Sequence, residues 1–503
     1  MSHMSCSSDW KQADDAYHRF NEHQGEDFTW TKLIFEVVKT RPTGIPANAP
    51  EIAPTNATAN ARATTTPSRP AAVDIAATPP KNDRPSLEND VERFGQPDKF
   101  WCPWKSGSCS NTLEISGQGT VEMMQRKSIP FELRLSNKRD PHDLTAYSII
   151  LSVNKNEVKL STSTGQSHTS TDSLYTLQSE DEYWHRYWIS LFAINRNVKY
   201  GFGEVRPSFS IFDIDLPTEE SQSIKEIYYL HFKVNNNENM LTELSNLKEH
   251  FRIFTGIDPV LHELPLFVIP QDKYSVEHFA SHSAIPPSKL QITCRELYDT
   301  VINFKLNTDD FPDLTDVIER SIKNSKGWCN KKLQEKANRF GKRNPKATYL
   351  RLTVGDRQGN APGHNYVIEV WPPGHFSPIH NHSNTYAIIR ALSGEILMRL
   401  YPALTLNVNQ YKPIEQICHE GRVTWMLPNL NQTHQLKHVD SYGKPCITIQ
   451  CYMYGRDDRL HYEYFDYLAN DERSIGHFDP KSDMDFGEFK ERMRQEKQHI
   501  FQN

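Results

Sequence analysis

Trp371-Pro372-Pro373-Gly374-His375-Phe376-Ser377-Pro378-Ile379-His380-Asn381-His382-Ser383-Asn384-Thr385-Tyr386 is the most informative stretch of this 503-residue chain. His380 and His382 stand two positions apart, and on a β-strand that spacing puts both rings on one face. Two imidazoles so placed can grip one metal ion if other ligands converge from elsewhere, although histidine pairs also occur on solvated strands. The surroundings read as strands: Tyr349–Val354, Tyr366–Trp371, Tyr386–Leu392, Ile396–Tyr401, Gly421–Leu427 and Cys446–Tyr454. Before them, Arg295–Phe304, Leu314–Ile322 and the Lys- and Arg-rich Trp328–Phe340 have helical spacing. Short strands joined by Gly and Pro turns and preceded by helices predict an α+β domain over 276–503, built round a small closed or double-sheet barrel.

The spacing Gly374-x5-His380-x-His382-x11-Gly394 is similar to the first motif of the cupin proteins, in which a barrel strand delivers two metal ligands and the glycine makes the next turn. Many cupins place a glutamate ligand five positions after the second histidine, where this chain has Ala387, which cannot coordinate. His434, following Pro428, falls where the second cupin motif supplies a ligand. The expected site is therefore His380, His382 and His434 with no carboxylate. Non-haem iron oxygenases commonly use two histidines and one carboxylate. A third imidazole in place of the carboxylate leaves the full divalent charge on the site, which then accepts an anionic ligand such as a thiolate. Two other readings stay open here: a three-histidine zinc site holding a water, and a cupin that has lost its metal.

Residues from roughly 290 to 465 resemble cysteine dioxygenase and related thiol dioxygenases. Trp371, Gly374, His375, Ser377, Ile379, His380 and His382 stand in the family's register, and the separation from His380 to His434 matches as well. The resemblance implies a non-haem iron(II) enzyme that oxidises a small carboxylate-bearing thiol, cysteine or a similar one, to its sulfinate with dioxygen; copper or another divalent metal is the alternative cofactor. It implies that Arg351, in Tyr349-Leu350-Arg351-Leu352, binds the substrate carboxylate, for which a guanidinium offers a bidentate fork. Tyr452, with Tyr349 beside the arginine, would orient the reacting atoms. Two departures bear on the substrate. Animal cysteine dioxygenases have a cysteine, cross-linked to the tyrosine, where Ala387 stands, and Cys451 should point away from Tyr452 on the opposite face. The histidine that supports the tyrosine is replaced by Gln450, which can hydrogen-bond but cannot carry a proton as imidazole does. His375 and His438 are expected to be structural or to support the ligands.

Upstream, residues 91–275 are β-rich and read as a sandwich-like accessory domain. Phe131-Glu132-Leu133-Arg134-Leu135, Tyr147–Val153 and Phe209–Leu216 have strand length and strand alternation. Tyr187–Leu191 followed by Val198–Arg206 resembles the β-sandwich module named after farnesoic acid O-methyltransferase. With no metal or nucleophile constellation in this region, its expected role is binding or scaffolding, for a ligand or protein partner that the sequence does not name. Between about Arg41 and Asn89 the chain is dominated by Pro, Ala, Thr and Asn and reads as a disordered linker (41–90) behind an N-terminal segment (1–40).

The formal charge of -6 argues against a sequence-independent grip on nucleic acid. With a mean hydropathy of -0.67, no apolar run approaches the ~20 residues that span a bilayer. Asp9, Asp14 and Asp15 interrupt any signal-like N-terminus, so a soluble, cytoplasmic protein without a membrane partner is expected. The eight cysteines, Cys6, Cys102, Cys109, Cys294, Cys329, Cys418, Cys446 and Cys451, form no CxxC pair and read as scattered thiols, with a Cys102–Cys109 disulfide open if the protein is exported. Two further functions remain open at this point: a specialised cupin metallo-oxygenase, iron or copper, acting on a larger substrate, and a non-enzymatic binding protein whose working part is the β-rich region.

Overall fold

The computed structural model describes residues 111–179, 184–234, 251–355, 365–382, 385–439, 443–453, 465–478 and 481–500. The expectations for 1–40 and 41–90, and for Cys6, Cys102 and Cys109, lie outside the described residues. All described residues belong to one compact unit, Phe100–Asn503.

Its N-terminal half is an antiparallel sandwich of a six-stranded and a five-stranded sheet. The strand Phe131–Ser136 shows why the sequence folds this way: Phe131, Leu133 and Leu135 point into the core, while Glu132 and Arg134 are only partly covered. Its register sets Phe131 opposite Val153, Leu133 opposite Leu151 and Leu135 opposite Ile149, so one apolar face lines up across the sheet. That face meets Tyr187 and Phe251 of the other sheet through edge-on ring contacts of Phe131 and Phe232, with centroids 5.4 and 5.5 Å apart. Each such buried ring contributes roughly 1.5–3 kcal/mol of hydrophobic stabilisation.

The C-terminal half is a double-sheet barrel, with an eight-stranded sheet packed on a six-stranded one. Trp371, Ala391 and Cys446 from the first meet Ile396, Met398, Leu400 and Leu436 from the second in one apolar cluster. Every residue of Cys446–Met453 is buried, because the strand is covered on both faces. Its outward residues lie beneath the helix Ile292–Val301, which packs on this strand and on Tyr386–Ser393. The predicted helices and strands are present with shifted ends, as at Ile292–Val301 for 295–304 and Leu350–Thr353 for 349–354. The third helix stops at Glu335 and tightens into a 3-10 turn over Lys336–Asn338, short of the expected Phe340. Gly394, at φ 72°, makes the turn expected of it between Tyr386–Ser393 and Ile396–Leu400. The strands Thr433–His438 and Phe465–Leu468 and the helix Phe486–Ile500 had no sequence expectation. No helix among the described residues is long and apolar enough to cross a membrane.

Sandwich and barrel share a core. Ile379, Tyr401, Leu404, Val408, Tyr411 and Leu468 of the barrel half continue the apolar cluster of the sandwich. The Gly201–Arg206 stretch forms the seam. Gly203 adopts φ 75° and lies so close to Pro402 that an added Cβ would sit 2.1 Å from its carbonyl oxygen, and the Glu204 amide donates to that oxygen at 2.7 Å. No other residue fits at Gly203 without moving the two halves apart.

Candidate metal centre

Register, more than sequence spacing, assembles the histidines. His380 opens the two-residue strand His380–Asn381, which pairs antiparallel with Thr433–His438 so that His380 stands directly opposite His434. On its other side His380 faces Tyr467 of Phe465–Leu468. His382 follows the short strand, its amide donating to the Gln432 carbonyl. The three rings have centroids 4.6–4.8 Å apart, and one ligand nitrogen from each lies within 4.8 Å of the others. All are buried, at 7%, 1% and 3% exposure for His380, His382 and His434. The expectation that these three side chains converge is met.

Backbone carbonyls orient two of them. His380 Nδ1 lies 3.0 Å from the Pro378 oxygen and His434 Nδ1 lies 3.2 Å from the Asn431 oxygen. Each carbonyl calls for a proton on Nδ1, which leaves the Nε2 lone pair for a metal. Burial, reinforced by His434 and Arg351 nearby, pushes His380 down to about 3. Burial pushes His434 down to about 4. Burial, with the other two histidines and Arg351, holds His382 well below the ordinary range. The cluster is therefore neutral at physiological pH.

The arrangement fits a cation. His434 Nε2 is buried with no hydrogen-bond partner, and His380 Nε2 faces His382 Nε2 at 3.0 Å. Buried orphan nitrogens are costly, and a metal ion held by the three imidazoles would satisfy the lone pairs that converge there. Among the described residues no carboxylate joins the cluster, in keeping with Ala387 at the place of the usual glutamate.

Tyr452 and Arg351 also lie beside this cluster. The Tyr452 ring stacks on His382, with centroids 5.2 Å apart and planes 15° apart, and Arg351 lies over the other ring neighbour, Tyr452, at 5.8 Å. Ala387 stands directly opposite Tyr452 in the ladder, the place from which a cysteine would cross-link. Cys451 points to the opposite face, opposite Tyr366 in the register. Gln450 accepts a hydrogen bond from the Tyr452 hydroxyl on its Oε1 and donates from Nε2 to Glu369.

Tyr349 lies just ahead of the strand Leu350–Thr353. Its ring stacks on Trp371 at 4.3 Å and belongs to the apolar barrel cluster with Phe340 and Met398. His375 holds the Thr348 carbonyl at 2.9 Å and so supports the strand start, as a structural residue would.

Three participants escaped the sequence reading. Phe465 meets His382 edge-on at 4.2 Å and His380 at 5.2 Å, closing the cluster on one side. Asn431, at φ 60°, supplies the His434 acceptor and is itself held from the sandwich: its amide donates to Glu204 Oε2 at 2.7 Å, and its side-chain oxygen accepts from Arg206. Glu369 is buried with Arg351, and a signal for it existed in the lone carboxylate within the apolar run Tyr366-Val367-Ile368-Glu369-Val370-Trp371.

No protein-family model matches the chain. Parts of it are similar to solved structures: an oxalate oxidase in complex with the substrate analogue glycolate (18% identity, TM-score 0.18, covering 22% of this chain and 52% of that one); a cupin 2 domain-containing protein from Halorhodospira halophila (14%, TM-score 0.17, covering 23% and 71%); and an RmlC-like cupin protein from Desulfovibrio desulfuricans (12%, TM-score 0.16, covering 21% and 81%). The chain thus spans about half the length of the oxalate oxidase, at 52%. The centre itself is a buried cluster of three histidines, carried by a double-sheet barrel and fit to hold one metal ion.

Proposed function

We propose that the barrel is a cupin metallo-oxygenase that converts a thiol to its sulfinate with dioxygen, with iron(II) as resident metal and copper or another divalent ion as the alternative. The observation that carries this reading is the convergence of three buried, neutral histidines with no carboxylate among them. Such a set leaves the full divalent charge on the site and favours an anionic sulfur as partner. When bound, the metal supplies the redox chemistry that joins oxygen to sulfur.

The protein's part is orientation and exclusion of water. Pro378 and Asn431 fix the ring tautomers of His380 and His434. Phe465 and the stacked Tyr452 ring cover His382. The Tyr452 proton is committed to Gln450, so toward any other group its oxygen acts as an acceptor. The resemblance assigns the substrate carboxylate to Arg351; the partner that Arg351 holds in the fold bears on that assignment below.

Oxygen uptake by iron-loaded protein with cysteine, 3-mercaptopropionate, cysteamine and 3-mercaptopropionamide, with sulfinate read by mass spectrometry, tests the proposal. Turnover of at least one thiol, lost in His434→Ala, is the expected result. A full metal complement with no uptake on any thiol would overturn it and leave the metallo-oxygenase of a larger substrate in its place.

A further inference from the structure

We infer that Glu369 sets the substrate class of this centre: the thiol it takes carries no carboxylate, only an uncharged tail. The inference rests on the thiol-oxidising reading above and narrows it. Arg351 and Glu369 stand directly opposite one another on paired strands. Arg351 Nη1 meets Glu369 Oε1 at 2.7 Å, and both side chains are 3% exposed. The other carboxylate oxygen of Glu369 accepts from Gln450 Nε2, the same amide group that holds Tyr452. Ladder position and hydrogen bonds together hold the pair in the barrel.

Two physical consequences follow. A substrate carboxylate that displaced Glu369 would strand a buried, uncompensated anion. One that joined it on the same guanidinium would bring two carboxylates together in a dry site, where like charges disfavour each other's ionised form. Either way the glutamate already occupies the role that a substrate carboxylate would take. The charges of Arg351 and Glu369 offset one another, and a metal held by the three histidines would bring positive charge where it binds. The ligand that matches this distribution is anionic at sulfur and uncharged at its far end. A cationic tail would face both Arg351 and the metal.

The test is ligand binding to cobalt(II)-loaded protein under argon, followed by the cobalt absorption bands, with 3-mercaptopropionate and 3-mercaptopropionamide as probes. These thiols differ only in the charge of the tail, and the readout needs no turnover. The amide should bind the unmodified protein roughly tenfold or more tightly than the acid. Glu369→Gln should move that ratio toward the acid by a similar factor, because the guanidinium then has a vacant charge to match; Glu369→Leu is the second variant should the first fold poorly. A merely structural glutamate would weaken both ligands alike and leave the ratio where it was. Preference of the unmodified protein for the acid, with thiol binding intact, would overturn this inference and spare the thiol reading. No spectral response to either thiol would overturn both.

Discussion

The sandwich and the barrel use burial in opposite ways. Inside the sandwich, Phe131, Leu133, Ile189 and Phe232 meet across the two sheets, and the core is an unbroken apolar cluster. Inside the barrel, one end of the same kind of strand layering holds Arg351, Glu369, Gln450, Tyr452 and three histidines, all buried. Apolar burial stabilises, whereas buried charge and unpaired imidazole nitrogen cost stability. The barrel gathers such groups around one cluster of histidines, and the buried Arg206–Glu204 ion pair of the sandwich lies at the seam that leads to it. The comparison is not one of independent halves: Arg206 and Glu204 of the sandwich hold Asn431, whose carbonyl holds His434.

The largest expected effect is at the centre. His434→Ala should abolish tight metal binding, measured by metal analysis after dialysis, and should not lower the melting temperature of the metal-free protein, since a buried orphan nitrogen is removed. Phe131→Ala breaks the comparison from the other side: it should cost about 3–5 kcal/mol of stability in denaturant unfolding, with metal affinity per folded molecule unchanged. Between them lies the seam. Arg206→Met, in the sandwich, should weaken metal binding roughly 10–100-fold, the usual effect of losing support behind a ligand; competition with a chelator measures it, and an unchanged affinity would mean that the sandwich only packs.

The remaining effect is in pH. The folded state keeps His380 and His434 neutral down to about 3 and about 4, whereas the unfolded chain protonates them near 6.5. Below pH 6.5 the unfolded state therefore binds more protons, and stability falls as pH falls, by up to roughly 1.4 kcal/mol per pH unit for each histidine. Above pH 6.5 both states are neutral and the slope vanishes. Melting curves of metal-free protein from pH 7.5 to 5 should show this, with a shallower slope in His434→Ala.

Much of this was legible in the sequence because local rules governed it. The alternation of Phe131–Leu135, the helix over Leu314–Lys323 and the His380/His382 face all follow from period and spacing. What escaped depends on partners far along the chain. Glu369 reads as one polar residue in an apolar strand until the register sets it opposite Arg351. Asn431 and Phe465 carry no motif, and their roles come from a turn at positive φ and from the strand that flanks His380. Tyr349 was read by its place beside Arg351, and the stacking of its ring on Trp371 comes from a strand further along the chain. The Gly201–Arg206 stretch was read as part of a sandwich module, and its glycine and arginine also serve the contact with the barrel.

The central claim is that the three histidines hold a metal that lets dioxygen oxidise a thiol. Turnover of a thiol by the iron-loaded protein in isotopically heavy dioxygen, with the sulfinate weighed by mass spectrometry, tests it most directly. The account expects both sulfinate oxygens to come from the gas and none from water. Product labelled from water, or full iron occupancy without sulfinate from any thiol, would contradict it.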